Sequence, residues 1–188
     1  MKNVVVFASG SGTNTENLLS YYTNHSKISI CAVFTNNKNA GVVQIANKHN
    51  IPCLFLTRDA FYNSEIILSQ LFVFQPSLIV LAGFLWLIPK YLIEHYSEKI
   101  INIHPALLPK HGGKGMIGNK VHEEVLACND IESGITIHYV NEKYDEGEII
   151  LQVSCEVKSD DNVESLSNRI HKLEYEHLPK AIKNLLTD

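Results

Sequence analysis

The chain has 188 residues, of which 45% are hydrophobic and 19% charged, values typical of one globular domain with a sizeable core. Its formal net charge of -4 argues against broad nucleic-acid binding, which requires many lysines and arginines on one face. The first apolar run is too short for a signal peptide, and no segment approaches the roughly 20 apolar residues that cross a bilayer.

Apolar, often β-branched runs alternate with helical patterns through the first 104 residues. Strands are predicted at 3–7, 28–35, 52–56, 77–82 and 99–104. Helices are predicted at 15–22, 41–50 and 61–74, with a short one after Pro89. This alternation predicts a parallel sheet with helices on both faces.

The pattern changes after residue 104. A helix is predicted at 118–127, followed by strands at 134–140 and 148–157 joined by a polar turn. A final helix, with Asn162 or Asp161 as its N-cap, is predicted to end near residue 186. We therefore expect one α/β domain over residues 1–188, with a Rossmann-like, mostly parallel sheet and some antiparallel strands toward the C-terminus.

The four cysteines are far apart in the sequence and form no CxxC pair. This spacing favours neither a zinc site nor a disulfide framework. We interpret them as reduced thiols of a cytoplasmic protein that binds neither nucleic acid nor membranes.

Three loop segments follow predicted strands: "SGSGTN" after the first, "AGFLW" after the fourth and "NIHP" at the end of the fifth. Open α/β sheets bind ligands beyond the carboxyl ends of their strands. Because all three segments lie at such strand ends, we predict that they form one binding site, although "GFLW" is equally compatible with core packing.

The first segment, residues 9–14, joins a strand to a helix. Backbone N–H groups at a helix start suit a phosphate; Gly10 and Gly12 permit close approach, and Thr13 adds a hydroxyl donor. The third glycine of a dinucleotide fingerprint and the Walker lysine are absent from the sequence. A tight strand–helix turn without a ligand is the alternative interpretation.

Asn102 and His104 are two residues apart, which places both side chains on one face of an extended segment. A carboxamide and an imidazole can donate hydrogen bonds to a developing oxyanion, and histidine can also move a proton. Asp145, in "YDEGEII", could orient that imidazole, or could simply be a turn residue beside Gly147.

Other polar residues receive less weight. His111 and His122 lie near His104 in sequence, but their spacing matches no metal site. On the last helix, a solvated surface is predicted for four residues: Arg169, His171, Lys172 and Glu174. The glycines and lysines of residues 110–122 suit a mobile flap over an anionic ligand or, equally, a plain surface loop.

Four motifs together resemble the folate-dependent formyltransferases over nearly the whole chain. They are "SGSGTN", "LAGF" before Trp86, "NIHPALLP" and "DEGEIILQ". The first motif, in a chain of this length, resembles the glycinamide ribonucleotide branch of that family. The resemblance implies that the amine of glycinamide ribonucleotide attacks the formyl carbon of 10-formyltetrahydrofolate, in purine biosynthesis.

The resemblance also implies site residues and partners. Asn102, His104 and Asp145 would be catalytic. The ribonucleotide would be held by Gly12, Thr13, Asn14 and Glu174. The folate co-substrate would contact Leu85, Trp86, Leu87, Ile88, Asn102, Asn141, Tyr144 and Asp145. The small-molecule substrates would be the only cofactor-like ligands, with no metal, and the protein would be a monomer or a homodimer.

The implied chemistry agrees with the residue types. Formyl transfer passes through a tetrahedral intermediate with a negative oxygen, to which Asn102 and a protonated His104 would donate, while Asp145 favours the charged imidazole. The proton could travel through His104 or through a water bound to Asp145, and the sequence leaves both routes open.

The sequence departs from the family pattern in four places. Thr15 replaces a common Leu, and Leu85 and Trp86 stand where an Arg often contacts folate. An Arg sometimes found near position 64 is missing, and the loop 110–122 is about five residues longer than in many relatives. Recognition of the folate glutamate tail is therefore the least secure part of the resemblance.

Two other functions are compatible with the motifs. One is a related formyl enzyme, such as a deformylase or a tRNA or sugar formyltransferase, although the first two usually carry an extra domain. The other is a binding protein without turnover, against which the joint presence of Asn102, His104 and Asp145 argues.

Overall fold

A computed structural model describes residues 1–187. Strands and helices follow one another in the order β1 (Lys2–Phe7), α1 (Thr13–Tyr22), β2 (Ile28–Thr35), α2 (Gly41–Lys48), β3 (Cys53–Phe55), α3 (Arg58–Tyr62), α4 (Ile66–Phe74), β4 (Leu78–Leu81), α5 (Lys90–His95), β5 (Ile100–His104), α6 (Asn119–Ala127), β6 (Glu132–Tyr139), β7 (Ile149–Glu156) and α7 (Val163–Thr187). Within the described residues, no helix combines the length and apolar character needed to cross a membrane.

The seven strands form one sheet in the order β3-β2-β1-β4-β5-β6-β7. Strands β1 to β5 are parallel, whereas β6 is antiparallel to both β5 and β7. The chain runs outward from β1 in one direction and then restarts at β4 on its other side, which creates a switch point between β1 and β4 where open sheets bind ligands. The predicted fold class is confirmed.

Side chains of β1 alternate between two cores. Val4 and Val6 pack with residues of α1, α6 and α7, whereas Val5 and Phe7 pack with residues of α3, α4 and α5. Successive side chains of a strand point to opposite faces of the sheet, and helices cover both faces here. Residues 4–7 of β1 and all of β4 are therefore buried at the sheet centre, which is why these stretches are continuous apolar runs.

The single helix predicted at 61–74 is wrong, because two helices occupy this region. The Thr57 hydroxyl accepts the Ala60 N–H (3.2 Å), so α3 begins before Phe61. The helix then ends at Tyr62, where Ser64 Oγ donates back to the Ala60 carbonyl (3.0 Å). Polar side chains that bond backward in this way compete with continuation of the helix.

The start and the middle of α7 are fixed by side chains. Asn162 caps the helix by accepting the Ser165 N–H (2.9 Å), which confirms one of the two predicted caps. Pro179 lies inside the helix and has no N–H to offer the Tyr175 carbonyl. Asn17 of α1 donates to that carbonyl instead (2.9 Å), and the Tyr22 hydroxyl donates to the Pro179 carbonyl (2.6 Å). These bonds dock α1 against α7.

Candidate active site

The predicted loop segments meet at one cavity of ≈ 610 Å³ beside the switch point. Its walls are residues 10–14, 82–85, 102–105 and 113–119, together with His122, Tyr144, Asp145, Ser167, His171 and Glu174. The first two segments are tied together, because Ser9 Oγ accepts the Leu85 N–H (3.0 Å) and the Ser9 N–H donates to the Gly83 carbonyl (3.0 Å). The expected convergence of strand ends is therefore present.

The first turn opens the N-terminus of α1 toward the cavity. Gly12 has φ 81, and a Cβ at this position would lie 2.7 Å from the Val42 Cα, so only glycine allows the two segments to approach. Among the described residues, no side chain caps α1. The N–H groups of its first turn are thus free of a side-chain cap, and the resemblance implies that Gly12, Thr13 and Asn14 bind a phosphate here.

Glu174 reaches the same end of the cavity from α7. Its carboxylate accepts a hydrogen bond from Asn14 Nδ2 (2.9 Å), and the residue is only 5% exposed. Burial raises its pKa to about 7, against the opposing effect of the Asn14 hydrogen bond. The solvated surface predicted from residue type alone is wrong here, and Glu174 lines the cavity in which the resemblance implies a ribonucleotide contact.

The end of β5 carries the central cluster. Asn102 Nδ2 donates to Asp145 Oδ1 (3.2 Å), and His104 Nδ1 lies 3.6 Å from Asp145 Oδ2. The side chain of Asp145 is 12% exposed and that of His104 is 4% exposed, so little water screens the pair. The structure thus brings together the three residues that the sequence predicted as catalytic.

His104 has a defined tautomer. Its Nε2 lies 2.8 Å from the His111 carbonyl, which can only accept, so Nε2 carries the proton. Burial lowers the pKa of His104 and outweighs the opposing effect of Asp145. At neutral pH the ring is therefore neutral in the free protein, and its Nδ1 is a proton acceptor; the protonated ring expected from sequence is not the resting form.

Asp145 is held in its charged form. Burial on its own would raise the pKa of this carboxyl, but the polar groups around it, among them the Gly113 N–H that donates to Oδ2 (2.9 Å), outweigh burial and keep the pKa below its ordinary value. The cluster thus contains a fixed negative charge beside a neutral imidazole, an arrangement that stabilises a proton arriving on that ring.

His138 is a fourth member that sequence reasoning missed. Strand β6 places it directly opposite Asn102, and its Nε2 lies 3.1 Å from Asn102 Nδ2. Its Nδ1 faces the Tyr139 carbonyl (2.8 Å) and so carries the proton, which leaves Nε2 to accept from Asn102. Both amide hydrogens of Asn102 are therefore engaged, one by His138 and one by Asp145. Only the antiparallel register of β5 and β6 could have signalled this contact.

Two further histidines line the cavity near Glu174. His122 is 2% exposed, and burial followed by repulsion from His171 lowers its pKa to about 4. Among the described residues its buried Nδ1 finds no hydrogen-bond partner. His171 is half-buried on α7, so its predicted place on a solvated surface is wrong.

The residues expected to hold folate are divided. Leu85 and Tyr144 line the cavity, whereas the lining found within residues 1–187 omits Trp86, Leu87, Ile88 and Asn141. Ile88 is 3% exposed in the core, and Trp86 packs against Phe61. Within residues 85–88, therefore, only Leu85 lines the cavity, while Ile88 is part of the core.

The segment that follows Phe84 lies close to the turn at residues 141–145. Lys90 Nζ is 3.8 Å from Glu142 Oε1, and the Tyr62 hydroxyl donates to the Leu87 carbonyl (3.0 Å). Asn141 closes its own turn by accepting the Lys143 N–H (2.9 Å). The segments that follow Phe84 and Val140 therefore lie side by side at the edge of the cavity, which Leu85, Tyr144 and Asp145 line.

Comparison with known proteins assigns the family. Residues 2–182 match the formyl transferase family. The phosphoribosylglycinamide formyltransferase of Bacillus subtilis is 36% identical, with 99% of this chain and 95% of that protein covered. The chloroplastic phosphoribosylglycinamide formyltransferase of Arabidopsis thaliana is 37% identical over 92% of this chain, which spans 62% of the length of that relative. A crystal structure of phosphoribosylglycinamide formyltransferase from Anaplasma phagocytophilum superposes with a TM-score of 0.89 at 33% identity, covering 100% of this chain and 87% of that one. The chain therefore belongs to the formyl transferase family.

Proposed function

We propose that this chain transfers the formyl group of 10-formyltetrahydrofolate to the amine of glycinamide ribonucleotide, with residues 1–188 acting as one formyltransferase domain. The observation that carries the proposal is the buried cluster of Asn102, His104 and Asp145 in a cavity that also receives the N-terminus of α1. The products are formylglycinamide ribonucleotide and tetrahydrofolate, as the names of the relatives suggest. We expect the reaction to take place in the cytoplasm.

His104 accepts the proton that the attacking amine must lose. The amine nitrogen bonds to the formyl carbon, and the carbonyl electrons move onto oxygen. The bond between that carbon and the folate nitrogen then breaks, and this nitrogen takes up a proton. Neutral His104, with Nδ1 unprotonated and facing Asp145, suits the first proton transfer, and the resulting imidazolium suits the second. Asp145 stabilises the imidazolium between the two steps.

Asn102 donates to the oxygen of the tetrahedral intermediate. Because its two amide hydrogens face His138 and Asp145 in the free protein, one of these contacts must lengthen as the oxyanion forms. The His138 contact is the easier one to release, since it is a neutral hydrogen bond whereas the Asp145 contact is charge-assisted.

The ribonucleotide occupies the part of the cavity between α1 and α7. Its phosphate accepts hydrogen bonds from the N–H groups of Thr13 and Asn14, while Glu174 accepts from the hydroxyl or amide groups of the substrate. Folate contacts residues 85–88 and 141–145, of which Leu85, Tyr144 and Asp145 line the cavity. Arg58 lies beside the first of these segments, with its guanidinium Cζ 5.5 Å from the Tyr62 ring and 5.9 Å from the Trp86 ring, and it supplies a cation for the folate tail.

The test is turnover with 10-formyltetrahydrofolate and two acceptors, glycinamide ribonucleotide and water. Release of tetrahydrofolate only when the ribonucleotide is present is the expected result. Release with water alone would identify a deformylase instead. A rise in melting temperature with either ligand but no turnover would identify a binding protein. Asn14→Ala should raise the KM for the ribonucleotide, and an unchanged KM would contradict the phosphate site.

A further inference from the structure

The turn at residues 111–113 contacts both members of the His104–Asp145 pair. The His111 carbonyl accepts from His104 Nε2 (2.8 Å), and the Gly113 N–H donates to Asp145 Oδ2 (2.9 Å). One short turn therefore fixes the tautomer of the imidazole and the direction of the carboxylate. Whatever holds this turn also sets the geometry of the pair.

The turn adopts a conformation that needs support. His111 has φ 52, a left-handed backbone conformation that residues other than glycine seldom adopt. Its side chain is 9% exposed, and its Nε2–H donates to Asp130 Oδ2 (2.7 Å). Asp130 follows α6 and lies outside the wall of the active-site cavity. The contact with Asp130 thus holds His111 from behind.

Asp130 also receives the ammonium of Lys110, with Nζ 3.1 Å from Oδ1. The hydrogen bonds from His111 and then Lys110 lower the pKa of Asp130, so the carboxylate is charged at neutral pH. The Lys110 side chain is 69% exposed, and such a surface ion pair contributes little on its own. The nearly buried His111–Asp130 contact is the stronger of the two.

We propose that Asp130 is a positioning residue that acts through His111 to hold His104 and Asp145 in their reactive arrangement. The proposal rests on the proposed function for the reaction that this arrangement performs. Without the Asp130 carboxylate, the turn at 111–113 relaxes, His104 loses its fixed acceptor, and Asp145 loses its N–H donor. A displacement of about 1 Å at reacting groups lowers rates by about 100-fold.

The first test compares Asp130→Ala with Glu132→Ala in the full chain. Glu132 is exposed, and its side chain makes no hydrogen bond or ion pair with any residue from 1 to 187, so its removal matches the charge change alone. Asp130→Ala should lower kcat by about 10- to 100-fold with little change in either KM, and Glu132→Ala should leave both constants near wild type. An unchanged kcat in Asp130→Ala would overturn the proposal.

The second test asks whether His111 transmits the effect. His111→Gly relieves the left-handed backbone but removes the imidazole that reaches Asp130. If the two residues act as one unit, each single variant and the double variant should lose similar amounts of kcat. Full retention of kcat in His111→Gly, or additive losses in the double variant, would contradict transmission through His111.

The third test is independent of turnover. Nitrogen-15 NMR of the neutral His104 ring should show the proton on Nε2 in the wild type and a mixture of both tautomers in Asp130→Ala. An unchanged His104 tautomer in the variant would contradict the positioning role of Asp130. Because this measurement needs no turnover, it distinguishes failure of this proposal from failure of the proposed function. If Asp130→Ala does not fold, Asp130→Asn takes its place. This variant keeps an oxygen acceptor for His111 and should therefore lose less kcat than Asp130→Ala. A wild-type kcat in Asp130→Asn together with a mixture of His104 tautomers would contradict the proposal.

Discussion

The cavity has two walls of opposite character. One wall belongs to β5 and α7, with His138 of β6 in contact with Asn102, and these polar side chains are almost completely buried, with His104 at 3%, His138 at 2% and Glu174 at 5% exposure. The other wall is the loop 113–119, where most residues are exposed, among them Lys114 and Ile117. The first wall is held by strand pairing and helix docking, and the second is a glycine-rich loop.

This difference matches two requirements of group transfer. Groups that stabilise developing charge work best when they are fixed and shielded from water, which the strand-borne wall provides. Substrates must enter and products must leave, which a loop wall allows. The comparison predicts that changes to the buried groups at the end of β5 lower kcat, whereas changes in the loop, and at the substrate-binding Glu174, alter KM.

The strongest test of the buried wall is His104→Ala. Loss of the proton acceptor should lower kcat by roughly 10²- to 10⁴-fold, because general acid–base contributions fall in this range. Steady-state kinetics should be compared with His95→Ala, which removes an exposed histidine on α5. A His104→Ala enzyme within a few-fold of wild type would mean that this wall does not carry the chemistry.

Glu174 tests the cost of burial in the same wall. Because its pKa is raised from 4.5 to about 7 in the folded protein, the native state binds more protons than the unfolded state between these values. Stability should therefore fall as pH rises through this range, by about 3 kcal/mol at most. Glu174→Gln, which can still accept from Asn14, removes the titration.

The measurement is urea unfolding at pH 5 and pH 8. At pH 8 the Glu174→Gln variant should be more stable than the wild type, and at pH 5 the two should differ much less. The KM for glycinamide ribonucleotide should rise at pH 8, where the wild type carries the carboxylate, and change much less at pH 5, where Glu174 is already protonated. Equal stability differences at the two pH values would show that the buried carboxyl does not titrate as its environment indicates.

The buried wall also shows how far the sequence could be interpreted. Asn102 and His104 were predictable, because β-branched runs define parallel strands and the carboxyl ends of such strands meet at one edge. His138 was not, since the contact depends on β6 pairing antiparallel with β5 in one register. The Asp130–His111 contact was likewise hidden, because it joins residues on either side of α6.

The long C-terminal helix gives a second lesson. Arg169, Lys172 and Glu174 are close in sequence and suggest a solvated face, yet Glu174 is buried while Lys172 is exposed. What buries Glu174 is the docking of α1 through Asn17 and Tyr22, which a helical pattern alone does not encode. Only the resemblance to a family pointed to this residue.

Lys114→Ala probes the loop wall. Lys114 is a cation on the cavity wall opposite the first turn of α1, so it should contact the phosphate of the ribonucleotide. Its loss should raise the KM for glycinamide ribonucleotide about tenfold, the size of one charge-assisted hydrogen bond, while kcat stays within about twofold. Lys172→Ala, an exposed lysine beside His171 on α7, is the matched control.

A substrate without phosphate shows whether Lys114 acts by contact with the phosphate or through its charge at a distance. For the riboside lacking this group, Lys114→Ala and wild type should have the same KM. A drop in kcat instead of a rise in KM would place catalytic groups on the loop and break the division between the walls. If Lys114→Ala and Lys172→Ala raised the KM equally, the effect of Lys114 would come from the net charge of the protein and not from contact with the phosphate.

Arg58 lies outside both walls and should give the smallest effect. Its guanidinium lies near the Tyr62 and Trp86 rings, beside the segment 85–88 that we propose contacts folate. Because exposed ion pairs are weak, Arg58→Ala should raise the KM for a polyglutamylated folate only about threefold and leave kcat unchanged. The increase should shrink at high salt, since the contact is screened. A folate without the glutamate tail is the control, because an equal rise in its KM would assign Arg58 to the packing of Trp86 rather than to recognition of the tail.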